Sequence, residues 1–286
     1  MESFTLDTPG KVNLFLRVCG RRSDGYHEIE TLFFPVQTVA DTVSMRFPDG
    51  GEIHIRCSDP AVPADESNLC WKAADLYRKR AGIASGVEIS IVKRIPTAAG
   101  MGGGSSDAAA VLRLMQRRFR ALDADKLADV AVKIGADVPF FLRSVPAVGR
   151  GVGERLEAAD DVPAALPLLI AAPLFPVSAA WSYRHLDRAA AEADSRTMGP
   201  LLDALRASDF PHAASLLRND LEHAVLEKFP LLAILKRELA AEGARVMVSG
   251  SGPTLFVFYG SFEARERVVK HAQALAEQYA FALMKP

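Results

Sequence analysis

Apolar and polar residues alternate along the first part of the chain, which is the period of half-buried β-strands. Residues 11–18 alternate in this way, and residues 27–33 continue the pattern after a turn signal at Asp24-Gly25. The same alternation returns at 52–57 and at 87–95. We therefore predict an antiparallel strand pair near the N-terminus and two further strands.

Helical spacing of apolar residues marks the segments between and after these strands. It predicts a helix at 68–80, a longer helix behind a glycine-rich segment, and a helix at 126–134 that ends at Gly135. A short helix is expected behind Asp137, whose side chain would be a suitable N-cap. The first half is thus predicted to be rich in strands, with helices inserted between them.

An acidic segment with two prolines, residues 158–167, separates the two halves of the chain. We place a domain boundary there, which gives domains at 1–160 and 161–286. The alanine-rich stretch 187–196 fits either a helix or a mobile connection. The second half is predicted to hold a strand near 167–172, a strand pair within 245–260, a short last strand, and helices near 178–187, 197–206, 221–241 and 262–279.

Composition and charge narrow the class of protein. A chain of 286 residues with 49% hydrophobic residues can bury cores in about two domains. The formal net charge of -1, from 34 basic and 35 acidic residues, gives no global reason to expect nucleic acid or an anionic membrane as a partner. The N-terminus lacks the apolar segment of a secretory signal, and prolines interrupt the longest uncharged run, 164–181. We expect a cytoplasmic protein without a transmembrane segment.

The cysteines suggest neither a disulfide framework nor a zinc site. Cys19, Cys57 and Cys70 lie far apart and are odd in number. We predict buried thiols in a reducing cytoplasm.

The segment PTAAGMGGGSSDAAAVL, residues 96–112, places several glycines and two serines in front of a predicted helix. Glycines let a backbone approach a ligand closely, and the free N–H groups at a helix start carry partial positive charge. Such a site suits phosphate, and Ser105 and Ser106 could donate to phosphate oxygens or bind magnesium. The alternative is a flexible connection capped by either serine, with Asp107 stabilised by the helix dipole. The segment lacks the Gly-Lys-[Ser/Thr] of a Walker A loop and the later acidic residue of a dinucleotide turn.

Three segments together resemble the signature motifs of the GHMP kinases, the superfamily of galactokinase, homoserine kinase and mevalonate kinase. They are TPGKVNLFL at 8–16, the glycine-rich segment, and VSGSGPTLFVF at 248–258. The strings PGKVNLFLRVCGRRSDGYHEIETLF and GADVPFFL resemble the branch that phosphorylates a cytidine diphosphate-linked sugar alcohol. The resemblance implies an α+β fold of two domains, the first ribosomal-protein-S5-like and the second ferredoxin-like, with the active site in the cleft between them.

The resemblance also implies the partners of the chain. They are ATP with Mg²⁺ and a small-molecule acceptor, a cytidyl diphosphate sugar alcohol, whereas neither nucleic acid nor a membrane is implied. We expect a monomer or a weak homodimer.

Two residues receive catalytic roles from the resemblance. Asp137 would be the general base that takes the proton from the acceptor hydroxyl. Lys11 would lie beside it, lower the pKa of the carboxyl and stabilise charge on the transferring phosphoryl group. The purely structural alternatives are an exposed strand lysine for Lys11 and the N-cap already mentioned for Asp137.

The nucleotide site is implied by the glycine-rich segment. Gly100 to Ser106 would wrap the β- and γ-phosphates of ATP, and Asn68 matches a position near the adenine pocket but could equally cap a helix. The magnesium ligands stay open among Ser105 or Ser106, Asp107 and the phosphates themselves. The predicted ATP-binding residues are Asn68, Pro96, Gly100, Met101, Gly102, Gly103, Gly104, Ser105 and Ser106.

The acceptor site is implied by DGYHEIE and by the third motif. His27 would hydrogen-bond the edge of the cytosine, and Tyr26 and Tyr183 would stack on its faces, with Trp181 as the alternative to Tyr183. Asn13, on the same side of its strand as Lys11, would contact the methylerythritol portion. Gly250 and Gly252 would line the site with their backbone, although the third motif could be only a structural hairpin.

Two other functions compete with this hypothesis. One is another small-molecule kinase of the superfamily, of the homoserine or mevalonate type, but these acceptors give no reason for a Tyr26-His27 stacking pair. The other is a catalytically silent nucleotide-binding scaffold, which would require neither Lys11 nor Asp137.

Overall fold

The computed structural model describes residues 3–240 and 243–284, and the chain divides into two compact units that interleave along the sequence. The first unit holds the residues up to Gly10, Pro35–Thr97 and Gly102–Ser144. The second holds Lys11–Phe34, Ala98–Met101 and the residues from Val145 onward. Lys11–Phe34, Ala98–Met101 and residues 145–160 thus group with the C-terminal half of the chain, and the domain segments 1–160 and 161–286 stay a prediction.

The first unit combines four strand segments with four helices among the described residues. Thr42–Arg46, near the end of β2, pairs antiparallel with β4, and β4 pairs parallel with β3. Helix α2 packs against α1, α3 and α4. The elements that lie in or enter this unit are β1 (Ser3–Arg21), β2 (His27–Arg46), β3 (Ile53–Cys57), α1 (Leu69–Ala81), β4 (Val87–Val92), α2 (Gly103–Phe119), α3 (Ala124–Ile134) and α4 (Val138–Arg143).

Local capping explains where two of these helices begin and end. The side chain of Asn68 accepts the N–H of Cys70 at the start of α1, and Gly82 ends that helix in a left-handed conformation with φ 67°. Asp123 accepts the N–H of Lys126 at the start of α3, which ends before Gly135 as predicted.

The second unit contains a four-stranded antiparallel sheet in the order β11-β7-β10-β9. In chain order this is fourth, first, third, second, with helices between β7 and β9 and helix α11 between β10 and β11, which confirms the predicted ferredoxin-like arrangement. The elements of this unit are β5 (Ala147–Gly151), β6 (Arg155–Ala158), β7 (Leu168–Pro173), α5 (Ala179–Arg184), α6 (Arg188–Ala193), α7 (Met198–Arg206), α8 (Phe210–Leu216), β8 (Arg218–Asn219), α9 (Glu222–Lys228), α10 (Pro230–Leu239), β9 (Arg245–Val248), β10 (Leu255–Phe258), α11 (Arg265–Tyr279) and β11 (Phe281–Met284).

Alternate residues of this sheet form its core. Leu169 and Ala171 of β7 and Leu255 and Val257 of β10 face the same apolar cluster as Val246 of β9. The cluster also takes in buried leucines and two valines from α9, α10 and α11. Elsewhere in the unit, Ile29–Phe33 of β2 pairs with β5, and β1 pairs with the short strand β8.

Two sequence expectations change, and one open alternative is decided. The predicted helix at 221–241 is two helices, because Pro230 lacks the N–H that a continuous helix needs and starts α10 instead. The alanine-rich stretch contains a helix, α6. Cys70 is buried as predicted, but Cys19 is exposed, so the prediction of buried thiols is wrong for that residue.

Within the described residues, no helix combines the length and the apolar composition that crossing a membrane requires.

Candidate active site

Lys11 is buried in the second unit, where it forms a short chain of hydrogen bonds. Its side chain is 5% exposed, so the alternative of an exposed strand lysine is wrong. Its Nζ donates to Asn13 Oδ1 at 2.7 Å, and Asn13 Nδ2 donates to Thr31 Oγ1 at 2.8 Å. The ring centroid of Phe33 lies 5.5 Å from the ammonium. Strands β1 and β2 thus fix the direction of the Lys11 side chain.

The third motif brings its backbone to this lysine. Gly250 has φ +55°, and a Cβ built on it would lie 3.0 Å from Asn13 Oδ1 and 3.4 Å from Lys11 Nζ. The turn joins β9 to β10, so it is a hairpin, but one that approaches Lys11 where only glycine fits. Asn219, which the sequence analysis missed, holds the turn by donating from Nδ2 to the carbonyls of Val248 and Gly250, both at 2.8 Å.

The glycine-rich segment is attached to both of the other motifs within the second unit. The N–H of Lys11 donates to the carbonyl of Met101 at 2.9 Å, and the N–H of Thr254 donates to the carbonyl of Ala99 at 3.2 Å. Ser249 Oγ donates to the carbonyl of Gly100 at 3.2 Å. The three motifs that are far apart in the sequence therefore meet at residues 99–101.

Helix α2 of the first unit begins earlier than the sequence suggested. Its first residue is Gly103, and Gly102 stands at the N-cap position with φ +70° and no side-chain cap hydrogen bond. Ser105 and Ser106 therefore lie inside the first turn, and the alternative that either serine caps this helix is wrong. A long helix whose first N–H groups lack a side-chain cap is suited to hold an anion.

The two serines have different surroundings. Ser106 is fully buried, and its hydroxyl lies 2.6 Å from both the carbonyl of Pro9 and Thr8 Oγ1. This hydroxyl has one proton to donate and already bonds these two oxygens, so it ties Thr8 and Pro9 to α2; its contact with phosphate or Mg²⁺ stays a prediction. Ser105 is half-buried and keeps that predicted role.

The carboxylate of Asp107 forms an ion pair with Lys93. Lys93 Nζ lies 2.8 Å from Asp107 Oδ2, and both side chains are buried. Burial raises the pKa of Asp107 to about 7, the charge of Asp41 adds to that rise, and Lys93 opposes it. Among residues 3–240 and 243–284, no three His, Cys, Asp or Glu side chains converge as metal ligands.

Asp137 stands at the N-cap position of α4 but does not cap it. Its backbone is helical, with φ −85° and ψ −13°, and its side chain makes no cap hydrogen bond. Pro139 lies in the first turn and has no N–H to satisfy. The capping alternative is therefore wrong for this half-buried carboxylate. Asp137 belongs to the first unit, whereas Lys11 belongs to the second.

Two of the predicted acceptor residues meet in the second unit. The rings of His27 and Tyr183 stack with centroids 5.3 Å apart and planes at 21°. Tyr26 is 64% exposed. The alternative Trp181 instead stacks on His185 at 4.4 Å and lies under Lys228 Nζ at 4.2 Å.

His27 also faces a pocket of 720 Å³ whose walls carry several arginines. Burial lowers the pKa of His27, and the positive charges of Arg21 and Arg188 lower it further. The imidazole is therefore neutral at physiological pH, with one nitrogen that donates and one that accepts. The sequence analysis did not single out these arginines.

Asn68 caps helix α1, which confirms the structural alternative for this residue. Its Nδ2 also donates to the carbonyl of Pro63 at 2.6 Å. A contact of Asn68 with adenine stays a prediction.

The glycine-rich segment is hydrogen-bonded to the strand that carries Lys11, and helix α2 has no side-chain cap at its N-terminus. Both features are typical of proteins that bind nucleotide phosphates. The chain belongs to the GHMP kinases. The model of the GHMP kinases N terminal domain matches residues 68–144, and that of the GHMP kinases C terminal domain matches residues 201–278. Neither match reaches residue 160, so the domain boundary stays a prediction.

Two of the similar proteins are kinases of the same cytidyl substrate. The chain is 38% identical to the 4-diphosphocytidyl-2-C-methyl-D-erythritol kinase of Geobacter metallireducens, over 92% of this chain and 92% of the relative. A crystal structure of 4-(cytidine 5'-diphospho)-2C-methyl-D-erythritol kinase matches with a TM-score of 0.77 and 36% identity, over 95% of this chain and 96% of that one. Homoserine kinase from Cytophaga hutchinsonii shares the fold, with a TM-score of 0.79 at 21% identity over 99% of this chain and 93% of that one.

Proposed function

We propose that this chain transfers the γ-phosphoryl group of ATP to the 2-hydroxyl of 4-diphosphocytidyl-2-C-methyl-D-erythritol, a step of the non-mevalonate route to isoprenoid precursors. The observation that carries the proposal is the 38% identity with a kinase of that name over 92% of both chains. The stacked pair of His27 and Tyr183 supports a cytidyl acceptor, because a nucleobase needs both an aromatic face and a hydrogen-bonding edge.

Phosphoryl transfer depends on alignment and charge neutralisation more than on covalent help. We assign the base to Asp137, which takes the proton of the acceptor hydroxyl, because it lies in the string GADVPFFL that resembles the family. Lys11, oriented by Asn13, stabilises negative charge on the transferring group.

The β- and γ-phosphates are held by backbone N–H groups from Gly100 to Ser105 and by the N-terminus of α2. Mg²⁺, when bound, neutralises phosphate charge during the transfer. The Ser105 hydroxyl and the phosphate oxygens would hold it, since Asp107 is paired with Lys93.

The residues that we propose to contact the acceptor all lie in the second unit. Tyr26 and Tyr183 flank the cytosine, neutral His27 bonds its edge, and the arginine-lined pocket beside His27 suits the diphosphate. Asn13, Gly250 and Gly252 are proposed to contact the methylerythritol portion. A cytoplasmic monomer or weak homodimer stays a prediction.

The test is ADP release from Mg-ATP with the cytidyl substrate, homoserine and mevalonate as separate acceptors. Turnover confined to the cytidyl substrate is expected. Turnover with homoserine or mevalonate instead would assign another kinase of the family. ATP binding without phosphorylation of any acceptor would leave only the scaffold.

A further inference from the structure

A buried group of three charges lies at the two ends of the glycine-rich segment. Lys93 Nζ contacts Asp41 Oδ2 and lies 2.8 Å from Asp107 Oδ2, and the three side chains are at most 7% exposed. Lys93 lies three positions before Pro96, where the glycine-rich segment begins, and Asp107 is the fifth residue of α2. We call Asp41, Lys93 and Asp107 the clasp.

The clasp also fixes the backbone in front of the segment. Asp41 Oδ1 accepts the N–H groups of Arg94 and Ile95, the latter at 2.8 Å. A Cβ built on Gly103 would lie 3.2 Å from Lys93 Nζ and 2.9 Å from Ile95 Cγ2. Gly103, the first residue of α2, therefore packs directly against the side chains of Lys93 and Ile95. Both ends of the segment are tied to the same ammonium group.

A buried ion group of this kind is weak support for stability in general. Removing charges from water is costly, and apolar replacements of such groups are often tolerated. One carboxylate oxygen of this group, Asp107 Oδ1, is buried without a hydrogen-bond partner among the described residues. An arrangement that is costly and incompletely satisfied calls for a role other than stability alone.

We propose that the clasp is a positioning device for the nucleotide: it sets the distance between the entry of the glycine-rich segment and the first turn of α2, so that their N–H groups converge on one phosphate position. This inference rests on the proposed binding of ATP by that segment. Lys93 acts through the backbone that it holds and touches no substrate.

Two measurements test the clasp, and the first does not require ATP. Hydrogen exchange of the unliganded protein reports how firmly residues 97–106 are held. Fluorescence titration with a Mg-ATP analogue gives the dissociation constant for nucleotide. The variants are Lys93→Met, which removes the shared ammonium, and the pair Asp107→Ala and Asp107→Asn. The control is Lys79→Met, which breaks the exposed ion pair with Asp75 at 2.7 Å on α1.

We expect exchange in 97–106 to accelerate about tenfold or more in Lys93→Met and in Asp107→Ala, and nucleotide affinity to fall about tenfold. Asp107→Asn keeps an oxygen that accepts from Lys93, so both quantities should stay within about threefold of the wild type. Lys79→Met should change neither.

The proposal is overturned if Lys93→Met and Asp107→Ala keep the exchange rates and the nucleotide affinity of the wild type. It is also overturned if hydrogen exchange accelerates evenly over β3, β4 and α1. If Lys93→Met does not fold, the two Asp107 variants decide the question. If the wild type binds no Mg-ATP, the proposed function fails, while the exchange data still decide whether the clasp holds the segment.

Discussion

Gly250 of the third motif lies close to Lys11, so Gly250→Ala should displace the Lys11 side chain. The new Cβ would lie 3.0 Å from Asn13 Oδ1 and 3.4 Å from Lys11 Nζ, at a backbone φ of +55°. Asn13 orients Lys11 through a bond of 2.7 Å, so a shift of either partner by a few tenths of an ångström moves the ammonium. The substitution therefore disturbs the lysine without changing any charge.

Gly250→Ala is expected to lower both stability and turnover, and the control Gly82→Ala separates these two effects. Placing alanine in the left-handed region costs about 1–2 kcal/mol, which lowers Tm by roughly 2–8 °C in a protein of this size. Gly82→Ala carries the same cost, because Gly82 has φ +67° with nothing within 4 Å of its Cβ position. The contact with Asn13 and Lys11 is specific to Gly250→Ala and should lower kcat/KM by about tenfold, which corresponds to about 1.4 kcal/mol of the barrier.

The assay compares Tm and kcat/KM for both variants with the cytidyl substrate. Similar Tm values with a selective loss of turnover in Gly250→Ala are expected. If Gly250→Ala turns over within twofold of Gly82→Ala, the close approach of Gly250 to Lys11 has no catalytic consequence and the reasoning fails.

Three further predictions concern single residues. Asp137→Asn should lower kcat by roughly 100- to 10,000-fold with Tm nearly unchanged, because asparagine keeps the shape of the side chain while removing the base; a kcat above a tenth of the wild type would reject the base. Tyr183→Ala should raise the KM of the cytidyl substrate by about 5- to 150-fold, from about 1–3 kcal/mol of lost stacking, and leave the KM of Mg-ATP unchanged; equal effects on both would count against the acceptor role. Because burial and two arginines lower the pKa of His27 below 6.5, the acceptor KM should be constant from about pH 7 to 8.5 and rise only as His27 gains a proton in more acidic solution. A rise that begins above pH 7 would contradict this.

Local patterns predicted most elements of the fold. Alternation predicted the paired strands β1 and β2, although both are longer than the predicted segments, and helical spacing predicted α1, α2 and α3. The patterns missed β5 and β6, because β5 is short and contains Gly149 and Gly151, which weaken a strand signal. Helix α8 and strand β8 are short and were also missed.

The candidate site was predictable only where it lies in motifs. The motif residues Lys11, Gly100 and Gly250 do converge within the second unit. Lys93 and Asn219 could not be predicted, because their roles depend on partners 52 and 29 residues away in the sequence. Periodicity reports which face of an element is buried, but it carries no information about which distant side chain will meet that face.

Phosphorylation of the cytidyl substrate on a hydroxyl creates a new phosphomonoester. The most direct measurement is ³¹P NMR of the wild-type protein incubated with Mg-ATP and that substrate. We expect one new phosphomonoester group for each ADP formed, with the diphosphate of the substrate intact. ADP accompanied by inorganic phosphate alone, or an unchanged spectrum from protein that binds both ligands, would contradict it.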